Sequence, residues 1–125
     1  MTWFRESLHP EIEEGLRVDQ SIYDGRTDFQ AVRIFRNDLL GRVLVLDDVV
    51  QTTELDEFFY HEMLAHVPIL GHGAARQVLV IGGGDGGCLN QVLRHPVAQV
   101  TMVELDRDVV EVCRAHLAKG SGYFD

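Results

Sequence analysis

Cysteine is scarce: Cys88 and Cys113 are the only two in 125 residues. Two thiols this far apart make neither a zinc framework nor a disulfide scaffold, and both read as reduced, small apolar residues of a core. Long apolar runs are missing too. No stretch approaches the ~20 residues that span a bilayer, and Met1 to Pro10 is too charged and polar for a secretory signal. Positive charge is in short supply: 11 Lys and Arg stand against 20 Asp and Glu, a formal net charge of -9. Such a field repels nucleic acid and anionic membranes and weakly attracts cations. His66, His72 and His95 lack ligand spacing, so no metal site is expected. What remains is a cytoplasmic globular protein, with the 46% apolar and 25% charged residues of a chain that folds.

The chain reads as a β-rich domain over residues 1–53, then a connecting helix and the start of a second domain over residues 54–125. From about Gly15 to Thr53 apolar and polar residues alternate. Leu16, Val18 and Ile22 keep even spacing, and the runs Phe29 to Phe35 and Arg42 to Leu46 follow, separated by the turn-prone Arg36-Asn37-Asp38 and Gly41. Short strands at this spacing predict an antiparallel β-meander. The pair Glu13-Glu14 reads as a solvated turn. Thr53 is a candidate helix N-cap with Asp56 and Glu57 in the first turn. Leu55, Phe58, Phe59, Met63, Leu64 and Val67 offer an apolar face, Glu54, Glu57 and His61 a polar stripe, and Pro68 a stop.

Gln77 to Ile81 is a continuous apolar run, the pattern of a parallel strand buried on both faces. It enters Gly82-Gly83-Gly84-Asp85-Gly86-Gly87. A helix from about Gly87 to Arg94 follows, closed near His95-Pro96. A second strand runs from Val100 to Leu105, and an amphipathic helix from about Asp108 to Leu117 turns Val109, Val112, Cys113 and His116 inward. This β-α-β-α order opens a doubly wound, Rossmann-like α/β sheet.

Gly82-x-Gly84-x-x-Gly87 matches a dinucleotide fingerprint, and Glu104 ends the next strand, where a carboxylate can accept hydrogen bonds from both ribose hydroxyls. The competing reading of Glu104 is a solvated acid at a strand end. Asp85 narrows the ligand. A helix N-terminus draws phosphates, and a carboxylate within that loop opposes them, so the loop suits a sulfonium or an amine better than a pyrophosphate. Alternatively Asp85 is an Asx-turn residue bonding its own loop.

Val43 to Glu54, then Asp56-Glu57-Phe58 and Tyr60-His61-Glu62-Met63, resembles the signature of spermidine synthases and related polyamine aminopropyltransferases. The glycine loop and Glu104-Leu105-Asp106 are similar to that family's cofactor loop and ribose-binding strand, and the likeness runs from Trp3 onward. It implies transfer of an aminopropyl group from decarboxylated S-adenosylmethionine, a co-substrate rather than a prosthetic group, to putrescine, releasing methylthioadenosine. Gln30 and Glu104 would hold the nucleoside, Gln51 would help on the cofactor side together with Gly82, Gly84 and Asp85, and Tyr60, His61 and again Asp85 would line the polyamine and aminopropyl region. Read without the family, Gln30 is a strand residue facing solvent, and Tyr60 and His61 are ordinary helix residues with the histidine on the rim of the core. Leu55 and Asn90 depart from the family by replacing basic residues.

The resemblance also implies that more chain follows. Family members are more than twice this length, with an adenine-reading acidic pair and the aspartate taken as general base beyond Asp125. No residue here is assigned as catalytic, the Gly120 to Asp125 stretch reads as a loop in mid-fold, and the fold is expected to be truncated. Three readings stand: part of an aminopropyltransferase; a methyltransferase using intact S-adenosylmethionine, against which the Gln51 to Met63 block argues; and a non-catalytic relative that only binds or dimerises. The family's N-terminal strands make subunit contacts, so a homodimer or a higher homo-oligomer is expected.

Overall fold

Strands begin at the second residue. The structure, a computed structural model, describes residues 1–117, and the chain divides into two units, Met1–Asp56 and Glu57–Asp125. In the first unit β1 (Thr2–His9) and β2 (Ile12–Val18) pair as an antiparallel hairpin. β3 (Gln20–Arg26), β4 (Ala31–Asn37), β5 (Gly41–Leu46) and β6 (Val49–Thr53) form the expected meander in sequence order. The opening strand escapes a sequence reading because it shows no apolar alternation: Trp3 and Phe4 are adjacent, as are Arg5 and Glu6, and the charged Glu6 shares the inward face with Phe4 while their neighbours are exposed. Glu13 and Glu14 are strand residues of β2, not a turn, with Glu14 opposite Glu6. The evenly spaced Leu16, Val18 and Ile22 fall on two strands, because the chain breaks at Asp19 between β2 and β3.

β4 and β5 bury side chains on both faces of the sheet, Val32, Ile34 and Leu44 on one and Phe35, Val43 and Val45 on the other, and Phe4 brings the hairpin onto the second set with its ring 5.7 Å from that of Phe35. Each fully buried aliphatic of this kind contributes about 1.5–3 kcal/mol. Glu6 is buried with them and accepts the Val50 amide at 2.9 Å, so its charge is hydrogen-bonded. Between β5 and β6 the chain reverses through Asp47 and Asp48, with φ of 48° and 61°. Two left-handed residues in a two-residue loop suit the twist of the flanking strands.

The second unit follows the predicted order: α1 (Glu57–His72), β7 (Gln77–Ile81), α2 (Gly87–Val92), β8 (Gln99–Val103) and α3 (Arg107–His116). β7 and β8 are parallel, Gln77 opposite Gln99 through Ile81 opposite Val103. Two expectations about α1 fail. Thr53 ends β6 and gives its hydroxyl to Asp56 at 2.5 Å, while the helix starts at Glu57. Pro68 lies inside the helix, which continues one turn to His72 and closes at Gly73, φ 78°, whose amide reaches the Ile69 carbonyl at 3.2 Å. Losing one backbone bond at Pro68 is tolerated where neighbouring Ile69 packs into an apolar cluster.

The helix also turns a different face inward. His61 and Ala65 are buried, while Phe58, Phe59, Met63, Leu64 and Val67 are exposed. α1 is apolar around most of its circumference, so periodicity alone selects no side. The sheet shows the same one-sidedness. Val78, Val80, Val100 and Met102 join Ala65, Cys88 and Val92 in the core, whereas Leu79 and Ile81 are 60% and 83% exposed, contrary to the expected burial on both faces. Both cysteines are free and buried. α3 buries Val109 and Cys113 and leaves Val112 and His116 partly covered, as its amphipathic pattern predicts. The expected loop at Gly120 to Asp125 lies outside the described residues.

Candidate functional site

The glycine loop leaves β7 through two left-handed residues, Gly82 at φ 81° and Gly83 at φ 79°, and enters α2 through a third, Gly86 at φ 81°. A side chain at any of the three would be strained. The loop is tied to the neighbouring strand by the Gly82 amide, 2.8 Å from the Val103 carbonyl, and to itself by the Gly86 amide, 2.9 Å from the Gly83 carbonyl. Gly84 serves a different need. A Cβ there would lie 3.1 Å from Glu104 Oε2 and 3.1 Å from Val109 Cγ1, so the missing side chain lets the carboxylate lie against the loop.

Glu104 sits one residue past β8 and accepts the Asp106 amide on Oε1 at 3.1 Å. Asp106 then caps α3, its Oδ1 accepting from the Asp108 and Val109 amides at 3.1 and 3.3 Å. The cap sets where α3 begins and thereby where Val109 stands behind Gly84. Sequence reading paired Asp106 only with its neighbours Glu104 and Leu105; its place at the head of an amphipathic helix was the available signal.

The strongest cluster in this unit surrounds His61. The ring is 1% exposed. Its Nδ1 meets Glu57 Oε2 one turn earlier on α1, and its Nε2 faces Asp85 Oδ2 at 3.4 Å. Asp85 Oδ1 accepts the Gly87 amide at 2.9 Å, the Asx-turn geometry, so one carboxylate oxygen serves the loop and the other the histidine. Gly87 has no room for a side chain, since a Cβ there would overlap the His61 ring. Burial opposes charge on the ring, and the bonds to Asp85 and then Glu57 outweigh it, so the His61 pKa is raised above its ordinary value. The rim position in the family-free reading of His61 is corrected: the ring lies inside the core, because two carboxylates satisfy it there.

Tyr60 is exposed and sets its ring edge-on to His61 with centroids 5.3 Å apart. The structure thus brings Asp85, His61 and Tyr60 together and places Glu104 against Gly84 on the same glycine loop. Gln30 and Gln51 belong to the first unit. Gln30 closes a turn in which its amide reaches Thr27 Oγ1 at 3.1 Å and its carbonyl accepts the Thr27 amide at 2.9 Å. Gln51 is exposed on β6 and gives its side-chain amide to the Val49 carbonyl at 3.2 Å. Glu57 meets His61 as expected of two members of one polar stripe, but the sequence reading gave it no place in the site, although its i, i+4 spacing to His61 was visible.

Neither thiol is an activated nucleophile. Burial, then the charges of Asp85, Glu104 and Asp106, push Cys113 up to about 12, and burial followed by Asp85 raises Cys88. A groove of about 350 Å³ beside α1 and β7 is lined mainly by apolar residues such as Leu64, Pro68, Ile69 and Ile81. Among the described residues no group of three or more His, Cys, Asp or Glu is arranged to hold a metal ion, and no helix is long and apolar enough to cross a membrane.

Two family models match this chain: a spermidine synthase tetramerisation domain over residues 2–54 and a spermine/spermidine synthase domain over residues 57–125. The chain is 56% identical over 125 residues to a polyamine aminopropyltransferase of Pectobacterium atrosepticum, covering 98% of this chain and 43% of that protein. It is 50% identical to polyamine aminopropyltransferase 1 of Pseudomonas aeruginosa, covering 100% of this chain and 44% of that one. Among solved structures, spermidine synthase from Thermotoga maritima superposes with a TM-score of 0.93 at 43% identity, over 99% of this chain and 44% of the neighbour. A spermidine synthase in complex with the transition-state analogue AdoDATO gives a TM-score of 0.93 at 43% identity, over 99% of this chain and 43% of that one. The chain therefore spans less than half the length of these relatives. With both units matched by models of the same enzymes, the chain belongs to the spermine/spermidine synthase family.

Proposed function

We propose that this chain supplies the opening part of a polyamine aminopropyltransferase, which moves an aminopropyl group from decarboxylated S-adenosylmethionine to putrescine. The observation that carries the reading is the Glu104 carboxylate lying against Gly84 at the end of β8, where a ribose diol requires a two-oxygen acceptor. In this reading Gly82 and Gly84 keep the loop close to the nucleoside, and Glu104 accepts from both ribose hydroxyls. Asp85, His61 and Tyr60 face the aminopropyl and amine groups. In the first unit, Gln30 is proposed as a nucleoside contact and Gln51 as a contact on the co-substrate.

The reaction forms one bond and breaks one. A neutral amine nitrogen of putrescine attacks the aminopropyl carbon bonded to the sulfonium. The carbon–sulfur pair returns to sulfur, leaving methylthioadenosine, and the new ammonium gives up a proton to yield spermidine. Alignment of nitrogen, carbon and sulfur supplies much of the acceleration. Carboxylates and the face of an aromatic ring suit the cationic ends of both substrates once water is excluded. The residues assigned here bind and orient; none is assigned as the base that takes the proton. A cytoplasmic location and a homo-oligomer built through the N-terminal strands belong to the same proposal.

Calorimetry on the chain tests it. Methylthioadenosine is expected to bind, and Glu104→Ala is expected to weaken it about tenfold or more. Unchanged affinity in that variant would remove Glu104 from the ribose. Tighter binding of intact S-adenosylmethionine than of its decarboxylated form would favour methyl transfer instead.

A further inference from the structure

We infer that Glu57 is a positioning residue for the amine site: it grips His61 at Nδ1 so that Nε2 stays directed at Asp85, and it thereby sets the orientation of the Asp85 carboxylate. The inference rests on the reading of Asp85 and His61 as amine-facing groups. Its geometry stands on three contacts. Glu57 and His61 share one face of α1, one turn apart, and the ring is held at both nitrogens, by Glu57 on one side and Asp85 on the other. Gly87 closes the third side, because any side chain there would enter the ring's space. Asp85 is then held through both oxygens, by the Gly87 amide and by His61, and has little freedom left.

The arrangement also sets the local charge. Both ring nitrogens face carboxylates, and both can donate only when the ring is protonated. Two carboxylates and one imidazolium leave a single net negative charge. Without Glu57, the imidazolium would cancel Asp85 and the pair would offer an ammonium nothing. Glu57 thus orients the histidine and offsets its charge. Among the described residues, the ring meets the carboxylates of Glu57 from α1 and Asp85 from the glycine loop. Cys88, in the first turn of α2, and Cys113 of α3 are held neutral by their raised values.

The decisive readout is nitrogen-detected NMR of the His61 ring, on the chain itself and on Glu57→Gln, with putrescine and methylthioadenosine titrated separately by calorimetry. In the unsubstituted chain the His61 midpoint is expected above the ordinary 6.5, with both ring nitrogens carrying protons below it. Glu57→Gln is expected to lower the His61 midpoint by about one pH unit and to weaken putrescine about tenfold, leaving methylthioadenosine within about twofold. Gly87→Ala, which displaces the ring from its third side, is expected to reproduce the loss of putrescine. A His61 midpoint that does not move in Glu57→Gln would overturn the inference, as would a midpoint at or below 6.5 in the unsubstituted chain. If the midpoint falls as expected but the unsubstituted chain binds no putrescine, the hold of Glu57 on His61 stands and the functional reading fails.

Discussion

The carboxylate of Glu104 and the backbone of Gly84 are in such close register that a single added carbon on Gly84 would stand 3.1 Å from Glu104 Oε2. The third glycine-loop residue and the acid ending the next strand thus form one unit, joined by the absence of a side chain.

Gly84→Ala follows directly. The new methyl group meets Val109 Cγ1 as closely as it meets the carboxylate, and Val109 is buried behind it. Overpacking of this kind costs about 1–3 kcal/mol. Urea denaturation is expected to register that loss, and calorimetry a drop in methylthioadenosine affinity comparable with that of Glu104→Ala. An affinity equal to the unsubstituted chain's would mean that Glu104 needs no such approach to the loop.

The raised pKa of His61 makes a signed prediction about stability. A histidine whose folded value lies above its ordinary 6.5 contributes stability that is complete below 6.5 and disappears as the pH rises through the folded value. His61→Gln keeps a polar side chain but removes the titration. The stability difference between the chain and this variant, measured in urea, is expected to be greatest near pH 6 and to shrink toward pH 9. A difference that grows with pH would reverse the assignment of the charged ring.

Cys113 offers an exposure test. Its thiol is buried and pushed up to about 12, so the reactive thiolate is almost absent at neutral pH. Alkylation by iodoacetamide at pH 8 is expected to track global unfolding, rising with urea along the same curve as the circular dichroism. Rapid labelling of Cys113 in the folded chain would show that α3 opens independently.

Asp48 invites a stabilising change. Its φ of 61° is one that a residue with a side chain occupies at a cost of about 1–2 kcal/mol, and its salt bridge to Arg33 is long, 3.8 Å, and exposed. Asp48→Gly is expected to raise stability by about 0.5–1 kcal/mol. The same change at Asp47 is expected to do worse, because Asp47 Oδ1 accepts the Ala31 amide at 2.9 Å and ties the turn to β4.

Much of the candidate site was legible because its residues are fixed by local chemistry. Left-handed backbone at Gly82, Gly83 and Gly86 demands glycine whatever surrounds it, and the run Gln77 to Ile81 before them and Glu104 after them follow from strand geometry alone. The meander was legible for a related reason: short apolar runs such as Val43 to Leu46 are cut by turn residues at Asn37, Asp38 and Gly41, although Phe35 and Leu44 are buried as well as Ile34, Val43 and Val45, so both faces of these strands are covered. Less legible was the helix. Phe58, Phe59, Met63 and Val67 suggest a buried stripe, yet the structure exposes them and buries His61. Hydrophobicity ranks a histidine as a surface residue, and only two carboxylates, one of them 24 positions along the chain, reverse that ranking.

The order of strands and helices from β3 onward, the glycine loop and the acid facing it are written in the sequence, because each depends on backbone conformation or on neighbours a few residues away; the β1–β2 hairpin is not. Tertiary structure alone decided the face that α1 turns inward, the depth of His61 and the closeness of Gly84 to Glu104 and of Gly87 to His61. Those depend on which atoms occupy the same space, and no spacing along a chain records that two distant residues must share it.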